Sequence, residues 1–164
     1  MLPENVVAMG TLSKALGSQG GFICACKLVA DTIVHSGRAY LFSTALAPAA
    51  AAAAHAALRL LDAEPQRRER LLAMAQAVRE GLRTAQLNVL PGSGPILPVI
   101  VGNERQATAC SEALLKRGIY VPAIRYPTVK KGQARLRISL SAGHTEADCS
   151  SLLAEMKEVL GTRG

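Results

Sequence analysis

The sequence predicts an α/β chain: two short strands that do not complete a sheet, an alanine-rich helical middle, and a small α+β domain at the end. Three observations carry this. Val6-Val7-Ala8-Met9 is a short apolar run bounded by polar residues, the pattern of a buried strand. Pro48 opens a run of alanines that extends to Leu61, a helix by propensity and by its first-turn proline. After Pro91-Gly92-Ser93-Gly94-Pro95 the texture changes, and strand and helix patterns alternate.

Taken in order, Val6 to Gly10 reads as a strand and Gly21 to Ala25 as a second. Leu28 to Gly37 reads as a short helix closed by Gly37. The Pro48–Leu61 helix is followed by another from Pro65 to Leu87, with Leu71, Leu72, Ala75, Val78 and Leu82 on one face. These two are expected to join as one long element bent at Pro65. Ile96 to Val101 is a strand, Asn103 to Arg117 a helix with Gly118 beyond its end, and Ile119 to Val121 and Arg135 to Leu140 are strands. Thr145-Glu146-Ala147-Asp148 reads as a cap opening a helix to Leu160. The expected organisation is residues 1–62 as the last piece of a larger domain, 63–90 as connecting helix and linker, and 91–164 as a small α+β domain. The compositional break falls near 86–95. Two strands cannot form a stable sheet alone, so the first piece is expected to be the end of a sheet built elsewhere. No internal repeat is present.

Composition narrows the class. Aliphatic and small residues dominate: the hydrophobic fraction is 49%, aromatics are 3% and tryptophan is absent. The net charge of +7 raises nucleic-acid binding as a reading. The cations are scattered, however, with Arg67, Arg68 and Arg70 set among Glu64 and Glu69, and no aromatic–basic stacking platform is present. No nucleic-acid partner is expected. Cys24, Cys26, Cys110 and Cys149 do not have zinc-site spacing, and His35, His55 and His144 are not placed with them, so no metal is expected. No secretory signal is visible, and His55 and Arg59 interrupt the only long small-residue tract, so no membrane span is expected. A cytoplasmic protein with reduced thiols is the plain reading.

The chemistry centres on Thr11-Leu12-Ser13-Lys14-Ala15-Leu16-Gly17-Ser18-Gln19-Gly20-Gly21. A lysine at the end of a buried strand is costly unless its amine serves as a neutral nucleophile or is held as a Schiff base. Adjacent hydroxyls and a glycine-rich exit suit a phosphate. Together they point to pyridoxal phosphate. The bland alternative is a solvated loop lysine.

This segment resembles the cofactor-lysine segment of the α-oxoamine synthases, pyridoxal-phosphate-dependent acyltransferases of fold type I. Tyr40-Leu41-Phe42-Ser43-Thr44-Ala45-Leu46 resembles the family's Phe-Ser-Thr segment, and Val121-Pro122-Ala123-Ile124-Arg125-Tyr126-Pro127-Thr128-Val129 its substrate loop. Ala134-Arg135-Leu136-Arg137-Ile138-Ser139-Leu140-Ser141-Ala142 resembles its carboxylate-binding strand. The likeness runs over nearly the whole chain. It implies the end of the large-domain sheet of a fold-type I enzyme plus a complete small C-terminal domain, hence the C-terminal portion of a longer enzyme that is a homodimer when full length.

By this resemblance Lys14 holds pyridoxal phosphate and then serves as general base. Thr11 is a phosphate ligand, and Ser43 and Thr44 are phosphate candidates reaching the partner subunit's site. For Ser43 and Thr44, a helix-capping role before Pro48 stands as the alternative. Many fold-type I enzymes carry an arginine eight residues after the lysine; Phe22 stands there, so phosphate must rely on hydroxyls and main-chain N–H groups. Arg137 is expected to take the amino acid's α-carboxylate, with Arg135 on the same strand face the next candidate. Thr128 is expected to touch substrate. Tyr126 replaces a proline common in the family, which leaves the acyl pocket's shape open. Arg125 faces a distal carboxylate, the thioester carrier or solvent. His144 is expected to be structural.

The implied reaction joins L-alanine to a pimeloyl thioester, on coenzyme A or an acyl carrier, with loss of CO₂. The pairing of glycine with acetyl-CoA, as in glycine C-acetyltransferase, is the runner-up within the family. Val121, Pro122, Ile124 and Pro127, with Thr128 and Arg125 nearby, are expected to form an apolar acyl wall that favours the longer chain. The family's pyridine-pairing Asp and stacking ring precede the lysine, yet Glu4 is the only acid before Lys14 and no aromatic residue or histidine precedes it. The isolated chain is therefore expected to lack turnover, and a non-catalytic folding or dimerisation module is the reading from a different class.

Overall fold

A computed structural model of the chain describes residues 3–161. It divides between Pro65 and Gln66 into two compact units. That break lies before the compositional one at 86–95, because the helix after Pro65 packs into the second unit's core.

In the first unit, β1 (Ala8–Thr11) pairs antiparallel with β2 (Gly21–Cys24), from Ala8 opposite Cys24 to Thr11 opposite Gly21. The connecting loop closes by hydrogen bonds from Leu12 N–H to Gly20 carbonyl, 2.9 Å, and from Ser18 N–H to Leu12 carbonyl, 2.9 Å. Three helices follow: α1 (Lys27–Ser36), α2 (Arg38–Leu41) and α3 (Pro48–Ala63). The short α2 has no periodic signal in the sequence. Gly37 separates it from α1, and a Cβ there would lie 2.6 Å from the Ile33 carbonyl oxygen. Only Leu12 and Ala54 are buried among this unit's described residues. Met9, Phe22, Ile23, Leu41 and Phe42 are all exposed.

This corrects three expectations. β1 begins at Ala8 rather than Val6, because Val6 N–H is turned back to the Pro3 carbonyl at 3.0 Å. The strand is not buried, since β2 is its only partner in the sheet and no layer of side chains covers it within this unit. And α3 does not run on as a bent helix: Glu64 takes φ −126°, ψ 58°, since a residue before proline is driven out of the helical region.

The second unit opens with α4 (Pro65–Thr84), which stops short of Leu87, with Gln86 left-handed at φ 59°. Then come β3 (Ile96–Gly102), α5 (Glu104–Lys116), β4 (Ala123–Ile124), β5 (Ala134–Ser139) and α6 (Glu146–Gly161). The three strands form an antiparallel sheet in the order β3-β5-β4. Alternation decides its faces. Leu97, Val99, Ala134, Leu136 and Ile138 are buried, and all but Ala134 join Ala75, Val78 and Leu82 of α4, Leu114 of α5 and Leu152 and Met156 of α6 in one core. Arg135 and Arg137 project from the opposite face, as the spacing requires.

The third expected strand is displaced. Residues 119–121 do not pair; the pairing falls at Ala123 opposite Leu136 and Ile124 opposite Arg135. Val121 is in the core instead, with its carbonyl accepting from Ser111 Oγ at 2.7 Å. Pro122 has no N–H to give a ladder, though its carbonyl accepts Arg137 N–H at 3.0 Å. Helix caps match the sequence better. Asn103 accepts from Gln106 N–H at 3.0 Å, and Thr145 and Asp148 form a reciprocal box at the head of α6.

Arg79 had no signal in the sequence. It is only 2% exposed, the largest fully buried side chain, and its Nε and Nη2 donate to the carbonyls of Gly92 and Gly94 at 2.9 and 3.1 Å. It ties α4 to the loop that leads into β3. Among the described residues no helix is long and apolar enough to cross a membrane, and no cluster suits a metal.

Candidate active site

Lys14 lies in the loop between β1 and β2, directly after the Thr11 strand end. Its Nζ donates to Thr11 Oγ1 at 3.4 Å. The loop turns on Gly17 and Gly20, both left-handed, at φ 58° and 105°. Side chains are excluded at its base: a Cβ on Gly21 would meet the Gly10 carbonyl at 3.0 Å. Lys14 is exposed, which corrects the expectation of a desolvated amine. What remains is a primary amine beside a hydroxyl on a glycine-bounded turn. That donor set fits an aldehyde cofactor bearing a phosphate: the amine for the carbonyl carbon, the hydroxyl and main-chain N–H groups for the anion.

Ser43 and Thr44 lie between α2 and α3. Ser43 Oγ donates to the Ala39 carbonyl at 2.5 Å, a bond back into the preceding turn. Neither residue caps α3; its N-cap is Ala47, which makes no side-chain bond. Thr44 is exposed. The capping alternative is thereby removed. Ser18, unremarked in the sequence, ties the lysine loop to α3 through a 2.5 Å bond from its hydroxyl to the Ala50 carbonyl.

In the second unit Arg135 and Arg137 share a strand face but not a hollow. Arg137 is exposed in a cleft of about 710 Å³, together with Pro122, Ser139 and His144. No carboxylate pairs with it among the described ion pairs, whereas Arg117 in the same cleft is held by Glu155 and, at 2.8 Å, by Glu158. Those two carboxylates push the Arg117 guanidinium pKa further up, chiefly through their hydrogen bonds, and Arg117 in turn lowers Glu158. Arg135 Nε donates to the Gln133 carbonyl at 3.0 Å, and this residue lines a separate hollow of about 750 Å³ with Tyr126, Thr128 and Lys130. Thr128 is set by a tight turn in which its N–H reaches the Arg125 carbonyl at 2.9 Å, across the cis Tyr126–Pro127 peptide.

The acyl wall read from the sequence is not assembled as expected. Val121 is in the core, Pro122 lines the Arg137 cleft, and Pro127 lines the Thr128 hollow. Arg125 borders a third hollow with Glu104 and Glu112. His144 has the structural place expected: its Nδ1 accepts Ser141 N–H at 2.9 Å, and its carbonyl takes Arg70 Nη2 at 3.1 Å.

The family model for aminotransferase class I and II matches residues 2–156. The chain is 48% identical over 156 residues to an 8-amino-7-oxononanoate synthase of Methylobacterium nodulans, covering 95% of this chain and 40% of that protein. It is 44% identical over 155 residues to the 8-amino-7-oxononanoate synthase of Alkalilimnicola ehrlichii, covering 94% and 40%. A serine palmitoyltransferase variant from S. paucimobilis, solved with PLP and myriocin, superposes with TM-score 0.88 at 28% identity, over 95% of this chain and 40% of that one. An 8-amino-7-oxononanoate synthase from Francisella tularensis superposes with TM-score 0.84 at 26% identity, over 96% and 46%. The chain thus spans about 40% of the length of the curated relatives it matches.

Proposed function

The chain belongs to the aminotransferase class I and II family, and from that membership we propose that it supplies the lysine-bearing loop and the substrate-binding small domain of a pyridoxal-phosphate-dependent acyltransferase. The reaction is the decarboxylative condensation of L-alanine with a pimeloyl thioester to give 8-amino-7-oxononanoate, in an enzyme that is homodimeric when complete. The observation that carries this reading is the Lys14 amine held beside the Thr11 hydroxyl on a glycine turn. The likeness to 8-amino-7-oxononanoate synthases supports this choice of acyl transfer.

Lys14, Thr11, Ser43 and Thr44 are the residues that would hold the cofactor. Bound pyridoxal phosphate supplies an electron sink for a carbanion at the amino acid's α-carbon. Lys14 Nζ would hold the cofactor, and the Lys14 amine would be the base that moves the proton at the amino acid's α-carbon. Thr11 Oγ1 orients that amine. The Thr11 and Thr44 hydroxyls would hold the phosphate, with Phe22 standing where many fold-type I enzymes carry an arginine, and Ser43 would join them by turning its hydroxyl from the Ala39 carbonyl. Arg137 binds the α-carboxylate as a planar fork. Thr128 orients the acyl donor.

The test is kcat/KM of the complete enzyme for L-alanine with pimeloyl-CoA against glycine with acetyl-CoA. The first pair is expected to be preferred, as the likeness to 8-amino-7-oxononanoate synthases implies. Preference for acetyl-CoA with glycine assigns the chain to that pairing instead.

A further inference from the structure

Between Glu112 and Glu146 the sequence contains no acid and seven cations: Lys116, Arg117, Arg125, Lys130, Lys131, Arg135 and Arg137. Some have carboxylates near them. Arg117 is paired to Glu155 and Glu158, and Arg125 borders a hollow with Glu104 and Glu112. Lys130, Lys131 and Arg135 are not in any described ion pair; Lys130 and Arg135 line the hollow of about 750 Å³, which no carboxylate lines, and Lys131 stands over the ring of Tyr126, itself a lining residue.

The fold builds this cluster. The Gln133 N–H donates to the Lys130 carbonyl at 3.1 Å, across a turn in which Gly132 is left-handed at φ 74°. The turn carries Lys130, which lines the hollow, and its chain neighbour Lys131. Lys131 Nζ lies 5.3 Å from the centre of the Tyr126 ring, which fixes that ring as one wall. Thr128 and Gln133 add a hydroxyl and an amide. Arg135 spends its Nε on the Gln133 carbonyl, so the terminal nitrogens of its guanidinium remain for a ligand.

We propose that this hollow binds the phosphates of coenzyme A, holding the nucleotide end of an acyl-CoA donor. The inference rests on the acyltransferase reading above. Lysines act as point charges that suit phosphates, while a lone carboxylate is better matched by an arginine fork. The volume lies in the range of small-molecule sites. A ligand with several phosphates accounts for two cations lining the hollow and a third against its Tyr126 wall, where a single carboxylate does not.

The experiment pairs binding with kinetics. Coenzyme A, 3′-dephospho-coenzyme A and pantetheine are titrated into the complete enzyme and into a Lys130→Glu, Lys131→Glu variant. Coenzyme A affinity is expected to fall roughly tenfold or more in the variant, less for the dephospho form, and pantetheine binding is expected to be unchanged. KM for pimeloyl-CoA rises with kcat retained, while an N-acetylcysteamine thioester, which has no phosphate, shows no change. The Lys130→Arg, Lys131→Arg variant retains coenzyme A binding. Equal coenzyme A affinity in wild type and charge-reversed variant overturns the proposal, as does an equal loss with the phosphate-free thioester. So does a loss confined to a protein-borne acyl carrier. If coenzyme A binding depends on the two lysines but no acyl transfer is found, the site stands and the acyltransferase reading fails.

Discussion

Arg79 Nε donates to the Gly92 carbonyl at 2.9 Å, and Nη2 of the same guanidinium reaches Gly94 at 3.1 Å, in a residue only 2% exposed. One buried cation thus fastens α4 to the turn before β3. The effect carries on: the Pro95 carbonyl that follows accepts Leu140 N–H at 2.9 Å, at the end of the strand that bears Arg137. Arg79→Met keeps much of the volume but leaves two inward carbonyls unpaired. It is expected to destabilise the second unit by about 2–4 kcal/mol, on the scale of unsatisfied buried polar groups. The urea midpoint of unfolding, with the slope unchanged, reads this; a shift under half a kcal/mol would show the clamp to be ornamental.

The lysine loop leads to a covalent test. Borohydride reduction of the complete enzyme with pyridoxal phosphate, followed by peptide mapping, is expected to label only the peptide containing Lys14. Lys14→Ala abolishes the label. A labelled peptide elsewhere would move the assignment to another lysine. Thr11→Ala is expected to retain the label but weaken cofactor retention, because it removes the 3.4 Å partner of the amine and not the amine itself.

The 164-residue chain alone is expected to show no turnover and to self-associate. Met9 is 79% exposed and Phe42 75%, and only Leu12 and Ala54 are buried among the described residues of the first unit. Apolar surface of this extent seeks a partner. Sedimentation of the purified chain reads the association, and steady-state assay the turnover. A monodisperse, active chain would overturn both expectations.

The second unit was more legible in the sequence than the first, for a physical reason. Its elements bury their own apolar faces, so periodicity reports local structure: Leu97 and Val99, Leu136 and Ile138 alternate inward as the pattern predicts. The first unit's strands have apolar residues whose exposure no local pattern reveals. Cap chemistry at Thr145 and Asn103 was readable because it is local. Arg79 was not, because its partners lie thirteen and fifteen residues away and its burial depends on tertiary packing. At the site, the Thr11–Lys14 proximity follows from strand-end spacing. The separation of Arg135 and Arg137 into different hollows does not, since it depends on which segments pack beside each, 117–122 and α6 at Arg137 and 126–133 at Arg135.

Arg137 is expected to hold the amino-acid carboxylate in the complete enzyme. Arg137→Ala is expected to weaken amino-acid binding by about 2–4 kcal/mol, read as KM for L-alanine. Arg137→Lys restores only part, because a point charge replaces a fork. Unchanged KM in both variants would pass the role to Arg135, whose Nε bond to Gln133 leaves its terminal nitrogens available.

The cap of α6 gives a pH prediction with a definite sign. Asp148 accepts from Thr145 N–H at 2.7 Å and from Thr145 Oγ1 at 2.8 Å, while its own N–H donates to that hydroxyl at 3.2 Å. The main-chain bond, then the hydroxyl bond, hold its carboxyl below the ordinary value of 3.8, with His144 adding a smaller pull in the same direction. A carboxyl whose folded pKa is depressed stabilises the fold above its unfolded pKa, and that stability is lost as pH falls through the folded value. The cap therefore holds at neutral pH and loosens only below the usual aspartate range. Amide exchange at Thr145 and Asp148 is expected to stay slow down to that range and then quicken. In Asp148→Asn the same amides exchange faster at neutral pH, and the gap from wild type closes on acidification. A gap that persists unchanged at low pH would show that the ionised carboxylate is not what closes the cap.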